Sequence, residues 1–239
     1  MTSVVLFDLD DTIFAHRLAV DRGIASHLAA SGVTTVDAAE IARWTELEEH
    51  HYHRYLTGEL DYLGQRRARA RDFAAPYGLR FTHDSEAEGW FEEYLDHYRA
   101  AWSLYDDTLP CLDALAERGV RLGIITNGEE HFQLPKLERM GLADRFEHVI
   151  ASGALGITKP DRRIFEFACE KFGVPVSDAL YAGDRLATDA VGARDAGLRG
   201  VWLVRDGAAS GGEVASAEAS GVTVITSLAH GRVPSKTAS

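Results

Sequence analysis

Short hydrophobic runs recur along the chain, and most of them are followed by a stretch with helical periodicity. Runs of this length without alternating polar residues are typical of strands buried on both faces of a sheet. The predicted strands are 4–7, 122–126, 148–151, 179–182, 201–204 and 222–225. The predicted helices between them are 109–118, 131–140, 164–172 and 189–196, each followed by a glycine. This alternation predicts an α/β fold with a doubly wound, parallel, Rossmann-like sheet.

A long helical segment interrupts the alternation between the first and second predicted strands. Amphipathic patterns occupy it at 18–30, 38–55, 62–74 and 86–102. We therefore predict two domains, a Rossmann-like core made of 1–14 and 105–239 and an inserted α-helical cap at 15–104. Near the end of the chain, residues 206–220 are small and polar, which predicts a surface loop.

Composition and charge exclude several classes of protein. The 239 residues are 46% hydrophobic and carry a formal net charge of −12. That composition is typical of a folded globular protein, and the negative charge disfavours binding to nucleic acid polymers and anionic membranes. No leader or membrane-spanning stretch is evident, and two cysteines are too few for a disulfide framework. We expect a cytoplasmic protein, and the sequence leaves open whether it is a monomer or a homodimer.

Acidic and polar side chains gather where the predicted strands end. Asp8 and Asp10 lie two residues apart after the first strand, so both carboxylates point to one side. The other strand ends carry Thr126-Asn127-Gly128, Lys159-Pro160 and Gly183-Asp184, with Asp189 shortly after. Each residue alone is explained by a turn or a helix cap. Because parallel strands bring their carboxyl ends to one edge, a single ligand-binding site explains all of them together.

These motifs resemble those of the haloacid dehalogenase superfamily, in the branch with a helical cap inserted after the first strand. The resemblance runs from residue 4 to residue 225. The matching motifs stand in the family's order as Asp8-Leu9-Asp10-Asp11-Thr12, Thr126-Asn127-Gly128, Lys159-Pro160 and Gly183-Asp184 followed by Asp189. One position departs from the pattern, because Arg185 stands where a small residue is commoner.

The resemblance implies a phosphatase that works through a phosphorylated aspartate. Asp8 matches the family's nucleophile, and Asp10 matches the general acid and base that protonates the leaving alcohol and then activates water. Thr126 and Lys159 match catalytic residues that also bind the phosphoryl group, together with Asn127. We expect a small phosphorylated molecule as the substrate, and neither a nucleic acid polymer nor a membrane as a partner.

Counting charges indicates a metal ion. A phosphomonoester carries nearly two negative charges into a group of carboxylates, and Lys159 alone does not balance them. Oxygen ligands suit Mg²⁺. The resemblance implies that the side chains of Asp8 and Asp184 and the backbone carbonyl of Asp10 hold the ion. Asp189 either positions Lys159 or binds the ion through water.

The resemblance also separates the reactions that run on this scaffold. Asp10 argues against carbon–halogen cleavage, because the family's dehalogenases lack the second aspartate. The segment before Lys136 contains no lysine, which excludes the cap lysine of the family's phosphonate hydrolases. A sugar phosphomutase keeps both aspartates and stays an alternative. A phospho-accepting receiver module is a weaker one, because its phosphorylated aspartate ends the third strand and it has no helical insertion.

One predicted cap helix is rich in arginine. It carries Arg66, Arg67, Arg69 and Arg71. These side chains either meet an anionic substrate or form a solvated helix face. Since helical spacing spreads them around the helix, we favour the solvated face.

Overall fold

Six parallel strands form one sheet, which confirms the α/β fold class predicted from the sequence. The computed structural model describes residues 2–33, 36–207 and 209–229. The strands are β1 Val4–Phe7, β2 Arg121–Thr126, β3 His148–Ala151, β4 Ala179–Gly183, β5 Arg199–Leu203 and β6 Thr223–Ile225. Their order across the sheet is β3-β2-β1-β4-β5-β6, and each neighbouring pair is parallel.

Seven of the predicted helices lie within two residues of observed helices at both ends, whereas the predicted helix at 189–196 is a π-helical turn followed by a four-residue α-helix. The observed helices are α1 His16–Ala30, α2 Ala38–Leu56, α3 Tyr62–Ala74, α4 Asp84–Ala100, α5 Thr108–Glu117, α6 Glu130–Arg139, α7 Ser152–Leu155, α8 Arg162–Phe172, α9 Gly192–Asp195 and α10 Gly211–Ala219. A π-helical turn, Leu186–Val191, precedes α9. Among the helices of the described residues, none is both long enough and apolar enough to cross a bilayer.

The chain divides into two compact units. The sheet unit comprises the described residues up to Ala15 and from Ser103 onward, and the helical unit is His16–Trp102. The chain leaves and re-enters the sheet unit at neighbouring points, where the Ala15 amide donates to the Ser103 carbonyl at 3.0 Å. These boundaries differ by one or two residues from the predicted 15–104.

The centre of the sheet is buried on both faces. On one face, Val4 and Leu6 of β1 belong to a core cluster with Phe165 and Phe172 of α8. The alternate residue Phe7 points to the opposite face and is also fully buried. β1 therefore lies in the interior between β2 and β4, and its carboxyl end delivers the residues that follow it to the middle of one sheet edge.

A tight turn follows β1. Asp11 adopts a positive φ of 60°, a conformation that aspartate tolerates better than most residues. The Asp11 amide donates to the Phe14 carbonyl at 2.8 Å, which closes the turn. The turn holds the backbone carrying Asp8 and Asp10 against the end of the sheet.

The helical unit has its own aromatic core. Trp44 of α2 is fully buried, with its ring centroid 4.9 Å from Phe73 and 4.6 Å from Tyr94. Helices α1 and α4 approach closely, because a Cβ on Gly23 would lie 2.8 Å from the Tyr98 Cα. Gly23 thus sets the spacing between the first and last helices of the unit.

The predicted solvated face of α3 is wrong for Arg69, and the other three arginines are partly exposed and paired with acidic side chains. Arg69 is buried, and its guanidinium stacks 3.6 Å from the Trp44 ring centroid while it donates to Glu48 at 2.8 Å. The other three form ion pairs inside the unit with Glu92, Glu88 and Asp84. Because α3 packs against both α2 and α4, side chains spread around it meet protein partners on most sides.

The predicted loop at 206–220 is also wrong, apart from residue 208, which lies outside the described residues. Ser210 and Glu213 form a capping box in which each side chain accepts from the other residue's backbone amide, at 3.3 Å and 2.9 Å. The helix α10 that follows packs Ala217 against the edge cluster around Trp202. Small residues and a good cap are sufficient for a helix here, because one face has an apolar surface to cover.

Candidate active site

Lys159 lies at the centre of the polar cluster at the carboxyl ends of β1 and β4. Its side chain is 2% exposed, and its Nζ donates to Asp8 Oδ1 at 2.6 Å, to Asp189 Oδ1 at 2.8 Å and to the Tyr181 hydroxyl at 2.6 Å. Burial alone would lower the pKa of Lys159, but Asp8 and Asp189 outweigh it and hold the pKa above its usual value. The lysine therefore stays charged beside the Asp8 carboxyl group.

Three carboxylates come together within the described part of the chain. One oxygen each from Asp8, Asp184 and Asp189 lies within 4.8 Å of the others. Burial raises the pKa of Asp8 well above its usual value against the opposing effect of Lys159, and Asp189 and Asp184 raise it further. Burial and then Asp189 raise the pKa of Asp184 to about 7. A bound cation would relieve both the burial cost and the repulsion, so the donor set suits a metal ion.

The loop after β4 fixes Asp184 and Asp189. The Arg185 amide donates to Asp189 Oδ2 at 3.0 Å, and the Trp202 indole donates to the Asp184 carbonyl at 2.8 Å. A Cβ on Gly183 would overlap Asp189 Oδ2, so only glycine leaves room for that carboxylate. The Arg185 side chain itself is exposed. The departure from the family pattern at 185 is therefore accommodated, because the backbone makes the contact.

The side chain of Asp10 lies apart from the three-carboxylate cluster and contacts α6. Its Oδ1 accepts from Lys136 Nζ at 2.7 Å, and its Oδ2 accepts from Gln133 Nε2 at 2.9 Å. Both partners are buried, whereas the Asp10 side chain is 29% exposed. Two buried donors therefore hold the carboxyl group of Asp10, while part of its side chain stays exposed to solvent.

Thr126 is the last residue of β2, and Asn127 follows it at the same edge of the sheet. Thr126 is buried, and its hydroxyl oxygen accepts from Gln133 Nε2 at 3.1 Å. The Asn127 side chain accepts from the Lys159 amide at 2.7 Å and donates to the Lys159 carbonyl at 3.0 Å. The side chain of Asn127 thus ties two loops together, and this pairing sets where Lys159 leaves the backbone.

The structure brings the predicted site residues of the sheet unit to one edge, and it adds residues that the sequence reasoning missed. Those additions are Gln133, Lys136 and Tyr181, together with Thr12, which belongs to the first motif but had no predicted role; all are buried and contact a predicted site residue. Two signals could have found them. Gln133 and Lys136 are three residues apart on a helix and share a face, and a tyrosine inside a fully buried strand needs a polar partner.

Comparison with known proteins agrees with the motifs. A family model for haloacid dehalogenase-like hydrolases matches residues 2–197. A glyceraldehyde 3-phosphate phosphatase of Pyrococcus abyssi is 31% identical over 212 residues, covering 85% of this chain and 82% of that protein. A phosphoserine phosphatase of Thermus thermophilus is 33% identical over 228 residues, covering 84% of this chain and 88% of that protein.

A solved structure shows the same fold. The haloacid dehalogenase-type hydrolase YfnB of Bacillus subtilis, bound to magnesium, has a TM-score of 0.71 at 22% identity, covering 84% of this chain and 87% of that one. The matched family model spans every strand end that contributes to the cluster around Lys159. The chain therefore belongs to the haloacid dehalogenase-like hydrolase family.

Proposed function

We propose that the protein is a cytoplasmic, Mg²⁺-dependent phosphatase that hydrolyses a small phosphomonoester through a phosphorylated Asp8. The observation that carries the proposal is the buried contact of Lys159 with Asp8, beside the three-carboxylate cluster. The relatives from Pyrococcus abyssi and Thermus thermophilus, both named as phosphatases of small molecules, support the same reaction class.

Asp8 is the proposed nucleophile. Its Oδ1 accepts from Lys159, while Oδ2 lies 3.5 Å from the Thr12 hydroxyl, so the carboxyl group is held by neighbours on both sides. Attack by Asp8 on phosphorus splits the hydrolysis into two displacements, each easier than a direct attack by water. Lys159 would offset the charge that gathers on the phosphoryl oxygens.

Asp10 is the proposed general acid and base. In the first displacement it gives a proton to the leaving alcohol, and in the second it takes a proton from the attacking water. Its partly exposed side chain suits this role, because one side stays accessible to the substrate and to water.

Asp8 and Asp184 are the proposed side-chain ligands of Mg²⁺, with the backbone carbonyl of Asp10. The fit rests on the cluster itself, because its oxygen donors are hard and their raised pKa values reflect a site that favours a cation. When bound, the ion would neutralise phosphoryl charge and orient the group for attack. Both oxygens of Asp189 already accept protein hydrogen bonds, from Lys159 and from the Arg185 amide, which favours its role in positioning Lys159.

The substrate is proposed only as a class. The two phosphatase relatives named above act on different small molecules by name, so neither substrate is transferred to this chain. The inserted helical unit stays proposed as a cap that favours compact substrates. A sugar phosphomutase is retained as an outcome of the test rather than as a second proposal.

The test measures inorganic phosphate released from a panel of phosphomonoesters, with Mg²⁺ and with a chelator. The panel includes glyceraldehyde 3-phosphate, phosphoserine, nucleoside monophosphates and hexose phosphates. We expect metal-dependent release by the wild type, none by Asp8→Asn, and wild-type rates for the control Asp144→Asn, whose side chain is exposed. Full activity of Asp8→Asn would disprove the mechanism, and conversion of one sugar phosphate to its isomer without phosphate release would establish the mutase.

A further inference from the structure

Two side chains of α6 hold the carboxyl group of Asp10. Lys136 Nζ lies 2.7 Å from Oδ1, and Gln133 Nε2 lies 2.9 Å from Oδ2. The two residues are three positions apart, so they project from the same face of the helix. Each oxygen of Asp10 therefore has its own donor, and together the two contacts restrict rotation of the carboxyl plane.

Lys136 is placed for this contact rather than for solvation. Its side chain is 1% exposed, and its Nζ lies 4.9 Å from the Phe14 ring centroid and 5.2 Å from that of Phe132. Burying an ammonium group is costly unless a charged partner compensates it. The aromatic faces contribute some attraction, but Asp10 supplies the opposite charge.

Gln133 connects Asp10 to the end of β2. The same Nε2 that donates to Asp10 also lies 3.1 Å from the Thr126 hydroxyl oxygen. A Cβ on Gly128 would overlap this nitrogen, so the glycine leaves the space that the amide fills. The position of Asp10 is thereby coupled to that of Thr126.

We infer that Lys136 and Gln133 are positioning residues that fix the Asp10 carboxyl group for its two proton transfers. This inference rests on the proposed function. In the first step the Asp10 proton goes to the leaving oxygen as the ester P–O bond breaks and the Asp8–phosphorus bond forms. In the second, a water oxygen bonds to phosphorus, its proton returns to Asp10, and the Asp8–phosphorus bond breaks.

A substrate with a good leaving group separates positioning of Asp10 from general damage. The p-nitrophenolate anion leaves without being protonated, so the first step with p-nitrophenyl phosphate does not depend on Asp10. The second step still does. A misplaced Asp10 therefore produces a burst of p-nitrophenol followed by slow turnover, because the phosphoenzyme accumulates.

The experiment compares Lys136→Met with the wild type by rapid mixing with p-nitrophenyl phosphate and Mg²⁺. A misplacement of about 1 Å lowers the rate of a step roughly 10²-fold. We therefore expect kcat to fall, KM to fall with it because kcat/KM reports the unaffected first step, and a burst of about one p-nitrophenol per enzyme. Lys136→Arg keeps the charge and is expected to regain most of the rate. The matched control Lys171→Met, at an exposed lysine of α8, is expected to show no burst beyond that of the wild type.

A double-mutant comparison tests whether Lys136 acts through Asp10. In an Asp10→Asn background, Lys136→Met is expected to cause no further loss of kcat. An equal loss in both backgrounds would overturn the inference, as would wild-type kcat without a burst in the single variant. If circular dichroism shows that Lys136→Met is unfolded, Gln133→Met decides the question in the same assays, because it removes the donor to the other oxygen.

Failure of the inference and failure of the proposed function give different results. If the wild type hydrolyses phosphomonoesters and the Lys136→Met and Gln133→Met variants do so at the same rate, only the positioning role is disproved. A wild-type protein that hydrolyses none removes the phosphatase and the inference with it.

Discussion

The phenolic oxygen of Tyr181 lies 2.6 Å from the ammonium nitrogen of Lys159, in the buried interior of the sheet unit. The same hydroxyl donates to the Ile125 carbonyl at 2.9 Å. Tyr181 belongs to β4 and Ile125 to β2, so the phenol spans β1, which lies between them. The Tyr181 side chain thus links the backbone of β2 to the ammonium group of Lys159, which contacts Asp8.

Replacing Tyr181 tests this support. Tyr181→Phe keeps the ring but removes the acceptor for Lys159 and the donor for Ile125. Leaving such buried groups unpaired costs about 1–3 kcal/mol, so we expect the free energy of unfolding in urea to fall by that amount and kcat to fall with it. Unchanged stability and unchanged kcat would show that the hydroxyl contributes to neither.

Because Gly128 leaves room for the Gln133 amide, we expect a substitution at Gly128 to lower activity with little effect on stability. In Gly128→Ala the added methyl group would overlap the Gln133 side-chain amide and displace it. The flexible end of a side chain can move at low cost, so we expect the thermal midpoint to change by only a few degrees, while kcat falls as it does in Gln133→Met. Wild-type kcat in Gly128→Ala would show that the amide's position is unimportant.

Gly89 provides the matched control. It lies exposed in α4, where an added Cβ would meet nothing within 4 Å. Alanine in a helix interior is favoured over glycine by about 1 kcal/mol. Gly89→Ala is therefore expected to raise the free energy of unfolding by up to that amount, with kcat unchanged.

Glu48 predicts a pH-dependent stability of the helical unit. Burial alone would raise the pKa of Glu48, but Arg69, His16 and Arg17 outweigh it and lower the pKa to about 2. Because the folded pKa lies below the unfolded value, the ionised group stabilises the fold above about pH 4.5, and this contribution disappears as the pH falls towards 2. The shift corresponds to about 3 kcal/mol.

The variant Glu48→Gln isolates that contribution. We expect its free energy of unfolding to lie below that of the wild type at pH 7, and the gap to narrow by up to about 3 kcal/mol between pH 5 and pH 2. Urea unfolding at several pH values measures the gap. Glu170→Gln supplies the control, because it makes the same substitution at an exposed glutamate of α8.

We expect a substitution of Trp202 to raise the Mg²⁺ concentration that activity requires. Its indole holds the Asp184 carbonyl at 2.8 Å, and Trp202→Phe removes this donor while keeping an aromatic ring. Asp184 is a proposed ligand of Mg²⁺, and losing a partner that orients a metal ligand typically weakens metal binding by 10-fold or more. We expect the Mg²⁺ concentration for half-maximal phosphate release to rise roughly 10-fold, and an unaltered Mg²⁺ dependence would contradict the contact's importance.

The sequence was sufficient for features that depend on local pattern. β1 and β3 begin and end where their hydrophobic runs do, because strands buried on both faces leave a continuous apolar signal. The helix α10 was missed, since its stability depends on a cap and on a distant apolar surface around Trp202.

In the site, too, the sequence predicts features that depend on local motifs but not contacts that depend on the folded structure. The motif residues could be named from their order at the strand ends. The contacts of Asp10 with Gln133 and Lys136 could not, because they join positions more than 120 residues apart in the chain. Arg69 was misjudged for the same reason, as its burial depends on Trp44 and Glu48 from another helix.

The close approach of Ala15 to Ser103 has a consequence for how the chain folds. Pairing β1 with β2 means closing a connection of roughly a hundred residues, whose entropic cost grows with the logarithm of its length. Once α1 and α4 have packed around Gly23 and Tyr98, the ends of the helical unit are already near each other. Only the short flanking segments then stay open, which lowers the closure cost by about 1 kcal/mol. Once the helical unit has formed, the pairing of β1 with β2 therefore closes only two short segments rather than the whole intervening chain.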